Sequence, residues 1–270
     1  MTQPTPGPAR LAWQPATVEA VTAETYRVKT FTLRPAEWRP FRPGQHVDIR
    51  LTAPDGYQAQ RSYSIATPPE LEGRFDLTVE RMDDGEVSPY FHEVVQLGDQ
   101  IEERGPIGGP FTWTVQDGGP VLFIAGGAGI VPIMSMLRHR RWVIPSPSTG
   151  EAQGEGAPDG HLSPTPVLLL YSSRSAEDII YWSELDAMAA GDQSCKLVHT
   201  LTRKQPAGWT GYARRLDRQM VSECIARLGQ PRYAFICGPT AFVEAAADAA
   251  VAAGISADSV RTERFGPSGL

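Results

Sequence analysis

A change of pattern near Pro120 constrains this chain more than any other feature. From Thr17 to about Trp113 short alternating segments follow one another: TYRVKTFTLRP, GQHVDIRLT, RSYSIAT, RFDLTVERM and QIEERGPIG. They read as strands punctuated by Pro, Gly and Asp, with one helical stretch, SPYFHEVVQLG, among them. Several short strands with a single helix predict an antiparallel β-barrel. From Pro120 onward strands alternate with helices. VLFIA is continuously apolar, as a strand buried on both faces must be. A glycine loop and the helix IVPIMSMLRHRRW follow, then VLLLY, the helical AEDIIYWSELDAMAA, KLVHTLTR, RLDRQMVSECIARLG, YAFIC, TAFVEAAADAAVAAG and SVRTERF. In the RLDRQ segment Leu216, Met220, Cys224, Ile225 and Leu228 recur at helical spacing. Five strands separated by helices predict a doubly wound five-stranded parallel sheet.

The chain therefore divides into a leader over 1–16, a barrel domain over 17–116 and an α/β domain over 117–270. A Pro-, Gly- and Ser-rich stretch at 145–166 is expected to be a flexible surface excursion within the second domain. The 270 residues suffice for two cores. A net charge of −6 argues against a nucleic-acid partner, which would call for a basic stripe. No apolar run has the length of a membrane span, and the N-terminus lacks a signal-like apolar core, so a cytoplasmic location is expected. Cys195, Cys224 and Cys237 form no CxxC, and the five histidines lack ligand spacing; neither a disulfide framework nor a metal site is expected. An iron–sulfur cluster would need four suitably spaced ligands.

Three places carry unusual chemistry. In RSYSIATPP, Arg61 and Tyr63 share one strand face and Ser64 takes the other, before Pro68-Pro69 ends the strand. A cation and an aromatic so placed are either a solvated cross-strand pair or a ligand shelf. GGAGIVP, from Gly126 to Pro132, lies between a buried strand and a helix. It is either a tight turn or a phosphate cradle in which glycine lets backbone approach and the helix start offers free N–H groups. The carboxyl ends of the later strands, where such sheets bind ligands, carry Ser172, Ser173 and Arg174, then Thr202 and Arg203, then Cys237-Gly238-Pro239. With Ser and Arg where an acidic residue would select an unphosphorylated ribose, Arg174 and Arg203 point to a 2′-phosphate and NADP; the other reading is solvated arginines beside Glu177 and Asp178.

With RSYS, GEVS (Gly85, Glu86, Val87, Ser88), GPIGGPF, GGAGIVP, CGP and the terminal ERF in this order, the chain resembles the ferredoxin–NADP reductase superfamily over roughly 17–265. The resemblance implies FAD and NADP (or NAD) as cofactors. It implies an FAD site of Arg61, Ser62, Tyr63, Ser64, Thr67, Gly85, Glu86, Val87, Ser88 and Phe265. In it Arg61 pairs with a flavin phosphate, Tyr63 packs on the isoalloxazine, Ser64 lies near N5, and the helix start with the Ser88 hydroxyl caps the pyrophosphate. GEVSPYF also reads as a plain helix start with Ser88 as N-cap and Pro89 at N1. The implied nucleotide site is Gly127, Ala128, Gly129, Ser173, Arg174, Arg203, Cys237, Gly238 and Pro239. Ser64, Cys237, Glu263 and Phe265 are the implied catalytic residues: Cys237 approaching the nicotinamide, Glu263 near both rings, Phe265 covering the second flavin face. Otherwise Cys237 reads as a buried small apolar residue and Glu263 as a solvated charge. Two departures stand out: GPSGL follows Phe265 where plant-type members end on a tyrosine, and Ala128 replaces a frequent Thr or Ser.

The implied function is an NAD(P)H oxidoreductase that passes hydride from NADPH to FAD and then single electrons to a separate protein, such as ferredoxin, flavodoxin or an oxygenase component. The alternatives are an NADH-dependent oxygenase reductase component or flavin/quinone reductase and, in another class, a non-catalytic flavin-binding redox-sensing subunit.

Overall fold

Alternation along the first strands decides which side chains meet inside the barrel, and the computed structural model describes this for residues 11–143 and 165–266. The strands are β1 (Gln14–Thr25), β2 (Val28–Pro35), β3 (His46–Thr52), β4 (Gln58–Ser64), β5 (Phe75–Glu80) and β6 (Gln100–Ile107). All pairings are antiparallel, in the order β4-β3-β6-β1-β2-β5. The two edges meet through an Ile65–Leu77 bridge and the Ala66 N–H on the Asp76 carbonyl at 2.9 Å, which closes the barrel. Phe31 and Leu33 of β2 and Phe75, Leu77 and Val79 of β5 point into its core. The helix α1 (Val87–Glu93) plugs the barrel with Val87 and Phe91, the Phe91 ring lying edge-on to Phe31 at 5.0 Å.

The other face of β2 and β5 is largely polar, and its middle is buried at Thr30 and Thr78. Thr30 and Thr78 hydrogen-bond each other at 2.8 Å, and Thr78 also meets the hydroxyl of Tyr181 from the second domain.

That domain is a parallel sheet in the order β11-β10-β7-β8-β9. Its strands are β7 (Val121–Gly126), β8 (Val167–Ser173), β9 (Cys195–Leu201), β10 (Tyr233–Pro239) and β11 (Val260–Phe265). Every residue of β7 and β8 is buried, because helices cover both faces. On one face α2 (Ile130–Val143) and α3 (Trp182–Gly191) share a core with Phe111 and Trp113; on the other lie α4 (Arg218–Leu228) and α5 (Thr240–Ala252).

Two expectations need correction. The leader expected over 1–16 overlaps β1: Gln14–Ala16 pair with Glu103–Ile101, and Ala16 is fully buried. Pro15 hides this entry in the sequence, yet proline is tolerated near a strand start. The helix expected over 176–190 is broken: a short 3-10 turn covers Ala176–Asp178, and Tyr181 takes the left-handed conformation at φ 59° before α3 begins. Thr78 and the Arg138 guanidinium, 4.9 Å from the Tyr181 ring, hold that residue in place, so tertiary contacts override the helical pattern. Residues 1–10 of the leader and 144–164 of the excursion lie outside the described residues.

Candidate functional site

The parallel strands end together, and three glycines let their ends touch. A Cβ on Gly129 would sit 2.1 Å from the Cys237 carbonyl oxygen, and one on Gly126 or Gly238 would strike the Phe242 ring at 2.7 Å. The loop after β7 is thereby pressed onto the end of β10. Gly127 turns the chain at φ 54°, and the space beside its Cα is open. The buried Tyr171 props this loop from below: its hydroxyl donates to the Gly127 carbonyl at 3.1 Å and accepts the Ile180 N–H at 3.3 Å.

Above these ends lies a crevice open to solvent, with one wall from each domain. The α/β wall brings together Gly127, Ala128, Ser173, Arg174, Pro239 and Phe265 from the sequence-derived set, with Gly126, Ser172, Thr202 and Phe242. Arg203 is not part of the lining. It is exposed, and its backbone N–H is bonded to the Arg174 carbonyl. Neither arginine forms an ion pair among the described residues; Glu177 is taken by Lys204 at 3.2 Å and Asp178 by the Ser175 hydroxyl at 2.7 Å. Ser173 is buried, and its hydroxyl has no hydrogen-bond partner among the described residues. The barrel wall was not legible in the sequence. It consists of the β1–β2 hairpin, Thr25 to Val28, and Glu80 at the end of β5.

The RSYS strand faces a second meeting of the domains. The Ser64 hydroxyl donates to Glu263 Oε1 at 3.2 Å, and Glu263 stands in register beside Cys237. Burial pushes the Glu263 carboxyl up to about 7, the Ser64 hydrogen bond drawing it partly back. Burial and then the Glu263 charge push the Cys237 thiol well above its usual range. Tyr63 packs against the barrel core with its ring 5.8 Å from Phe91. Arg61 is half free: it donates to its neighbour's carbonyl at 2.6 Å and lies 3.8 Å from Glu86, whose other oxygen accepts the Tyr57 hydroxyl at 2.7 Å.

Several side chains expected at the cofactors are turned elsewhere. Ser62 points to the opposite strand face and donates to Asp48 at 2.7 Å. Thr67 is buried; its hydroxyl accepts the Asp76 N–H at 2.5 Å and its carbonyl the Ser135 hydroxyl at 2.6 Å. Val87 belongs to the barrel core. Ser88 is neither an N-cap nor free: α1 starts at Val87 after Glu86, and the Ser88 Oγ accepts the Met82 N–H at 3.0 Å. A Cβ on Gly85 would press within 3.1 Å of that same oxygen. Cys237 is 1 % exposed and packs in the core, which leaves its thiol closed to a ligand in this arrangement. Phe265 is 38 % exposed and lines the crevice at the nucleotide-domain strand ends.

A barrel with an arginine, a tyrosine and a serine on one strand, joined to a parallel sheet whose ends open on a glycine cradle, is the architecture of a two-domain flavin and nicotinamide-nucleotide protein. Residues 16–112 match the Oxidoreductase FAD-binding domain family and residues 123–248 the Oxidoreductase NAD-binding domain family. Ferredoxin–NADP reductase B of Sorangium cellulosum is 35% identical over 201 residues, covering 73% of this chain and 74% of that protein. The glycine betaine monooxygenase reductase subunit of Pseudomonas aeruginosa (strain UCBPP-PA14) is 31% identical over 254 residues, covering 92% of this chain and 63% of that protein. The chain thus spans less than two thirds of that subunit's length. A cytochrome P450 reductase from Amycolatopsis shares the fold at a TM-score of 0.74 and 23% identity, over 96% of this chain and 71% of that one. The chain belongs to the ferredoxin–NADP reductase family of flavoprotein oxidoreductases, with FAD and NAD(P) as its cofactors.

Proposed function

We propose that this chain takes a hydride from NAD(P)H onto FAD and passes electrons to a separate protein acceptor, a ferredoxin, a flavodoxin or an oxygenase component. The observation that carries this reading is the Ser64–Glu263 hydrogen bond, which draws the RSYS strand of the barrel to the ends of β10 and β11. There a group held by the RSYS strand can react with a group held at the ends of β10 and β11. Glycine betaine monooxygenase reductase subunits and a naphthalene 1,2-dioxygenase reductase component among the similar proteins support an oxygenase partner.

The residues present fit both cofactors. Arg61 keeps guanidinium donors free, and the first turn of α1 carries no side-chain cap, so each can meet a phosphate of FAD. Glycines where any Cβ would clash, and the orphaned Ser173 hydroxyl, suit a backbone cradle for the nucleotide. When bound, FAD supplies two-electron acceptance from the nicotinamide and one-electron release to the acceptor. The protein contributes alignment and electrostatics. Tyr63 offers a ring fixed by packing against Phe91. Glu263, poised near neutrality, can hold a proton on Oε1 facing Ser64 Oγ. Helices too short or too polar to span a bilayer characterise the described residues.

The purified protein should be yellow, release FAD on heating, and bleach anaerobically with NAD(P)H, recovering when cytochrome c or ferricyanide is added. A protein that holds FAD but bleaches with neither NADH nor NADPH would instead be a sensing subunit.

A further inference from the structure

We propose that Glu80, supplied by the barrel, selects a plain ribose over a 2′-phosphorylated one in the crevice, so that this enzyme prefers NADH to NADPH. The inference rests on the crevice being the nucleotide site.

Glu80 is the last of three polar residues on the outer face of β5. The first two are spent within the protein: Asp76 accepts the Thr32 hydroxyl at 2.7 Å, and Thr78 bonds Thr30 and Tyr181. Glu80 sits one step further along the face, beyond the covered part, and lines the crevice. It forms no side-chain hydrogen bond or ion pair among the described residues, which leaves its oxygens open to water or to a ligand in the crevice. On the other wall the Ser173 hydroxyl is buried and has no hydrogen-bond partner among the described residues.

The charges around it weigh against a phosphate. Arg27 is committed to Asp83 and to the Arg81 carbonyl, both at 2.9 Å. Arg174 is then the one guanidinium in the lining without an ion pair among the described residues, and it faces the carboxylates of Glu80 and Asp178. Burial raises the Glu80 carboxyl, while Arg174 and Arg27 pull it back toward the charged form. An ionised carboxylate only accepts hydrogen bonds. A ribose diol donates two; a 2′-phosphate near neutral pH donates essentially none and brings a charge of roughly −1.5 to −2. Glu80 therefore rewards the diol and repels the phosphate, and specificity comes from the repulsion as much as from the contact. The arginine at the end of β8, read along the sequence alone, points to NADP; a residue from the other domain reverses that reading.

Calorimetric titration of the FAD-loaded protein with NAD+ and with NADP+ tests this, in wild type, Glu80→Gln and Glu80→Lys. Wild type should bind NAD+ about tenfold or more tightly than NADP+, the value of one charge-assisted hydrogen bond. Glu80→Gln should erase most of that ratio and Glu80→Lys should invert it, and kcat/KM for NADH against NADPH should follow. Because Glu80 bonds no other side chain among the described residues, flavin content should stay at the wild-type value, and Tm should not fall in Glu80→Gln, which removes a carboxylate that burial disfavours. A wild type that prefers NADP+, or a ratio unchanged in both variants that are still reduced by NAD(P)H, would overturn the role of Glu80 and leave the reductase reading standing. Failure of wild type to bind either nucleotide would overturn both.

Discussion

The two domains meet along one outer face of β2 and β5, and the two ends of that meeting are built on opposite principles. At one end lies a closed seam. Arg138 donates across the seam to the Ala66 carbonyl at 3.0 Å and is held there by Glu184 of its own domain through bonds of 2.9 and 2.7 Å; Ser135 reaches the Thr67 carbonyl, and His139 meets Glu70 at 2.5 Å. At the other end lies the crevice, where Glu80 and the Ser173 hydroxyl have no such partner and Arg174 no ion pair. Satisfied polar groups fix one arrangement of two bodies; unsatisfied ones wait for a ligand to satisfy them. The same composition of Arg, Glu, Ser and Thr thus serves as clamp in one place and as receptor in the other.

The largest effect should come from breaking the clamp. Arg138→Ala would strand the Glu184 carboxylate and leave the Ala66 carbonyl without its donor. The expected loss is about 2–4 kcal/mol in urea unfolding, below the ~3–5 kcal/mol of a wholly buried pair because Glu184 keeps a third of its side chain in water. A loss under about 1 kcal/mol would mean that neither the Ala66 contact across the seam nor the Glu184 pair within the α/β domain adds to stability.

On the open side the balance should reverse. Arg174→Ala is expected to change stability by no more than about 0.5 kcal/mol, yet to weaken NADP+ binding about tenfold. Arg203→Ala, outside the crevice, should leave nucleotide affinity unchanged. Equal losses in both variants would show that the third strand end reaches the ligand after all.

Glu263 stands between clamp and receptor, and its effect should be the smallest. Its carboxyl is raised from 4.5 to about 7 on folding, so ionising it costs stability; that cost is absent below about pH 4.5 and complete above about pH 7. Glu263→Gln escapes it. The Tm difference between variant and wild type, measured without nucleotide at pH 5 and pH 8, should move in favour of the variant at pH 8. The expected movement is about 2–4 °C, corresponding to roughly 1 kcal/mol. A difference independent of pH would show that the carboxylate is already ionised at the interface.

The division at Pro120, the barrel, the parallel sheet and the glycine loop were all legible in the sequence. Period-2 alternation, unbroken apolar runs and glycine are local signals that neighbouring residues cannot disguise. RSYS falls in β4 and the glycines of GGAGIVP at the junction of β7 and α2, where the same local signals put a strand and a strand-to-helix turn. Side-chain direction was less legible: Ser62, Thr67 and Ser88 look like ligand hydroxyls, but each is satisfied by a group contributed from elsewhere in the chain or from an adjacent loop. Alternation places Thr30, Thr78 and Glu80 on the face opposite the core residues Phe31, Leu77 and Val79. What lies against that face is a matter of tertiary structure. The approach of Tyr181 buries the two threonines, while the crevice opening leaves Glu80 facing Arg174 and Ser173. Strand period determines which face a side chain takes; only the packing of the second domain decides whether that face becomes seam, solvent or binding wall.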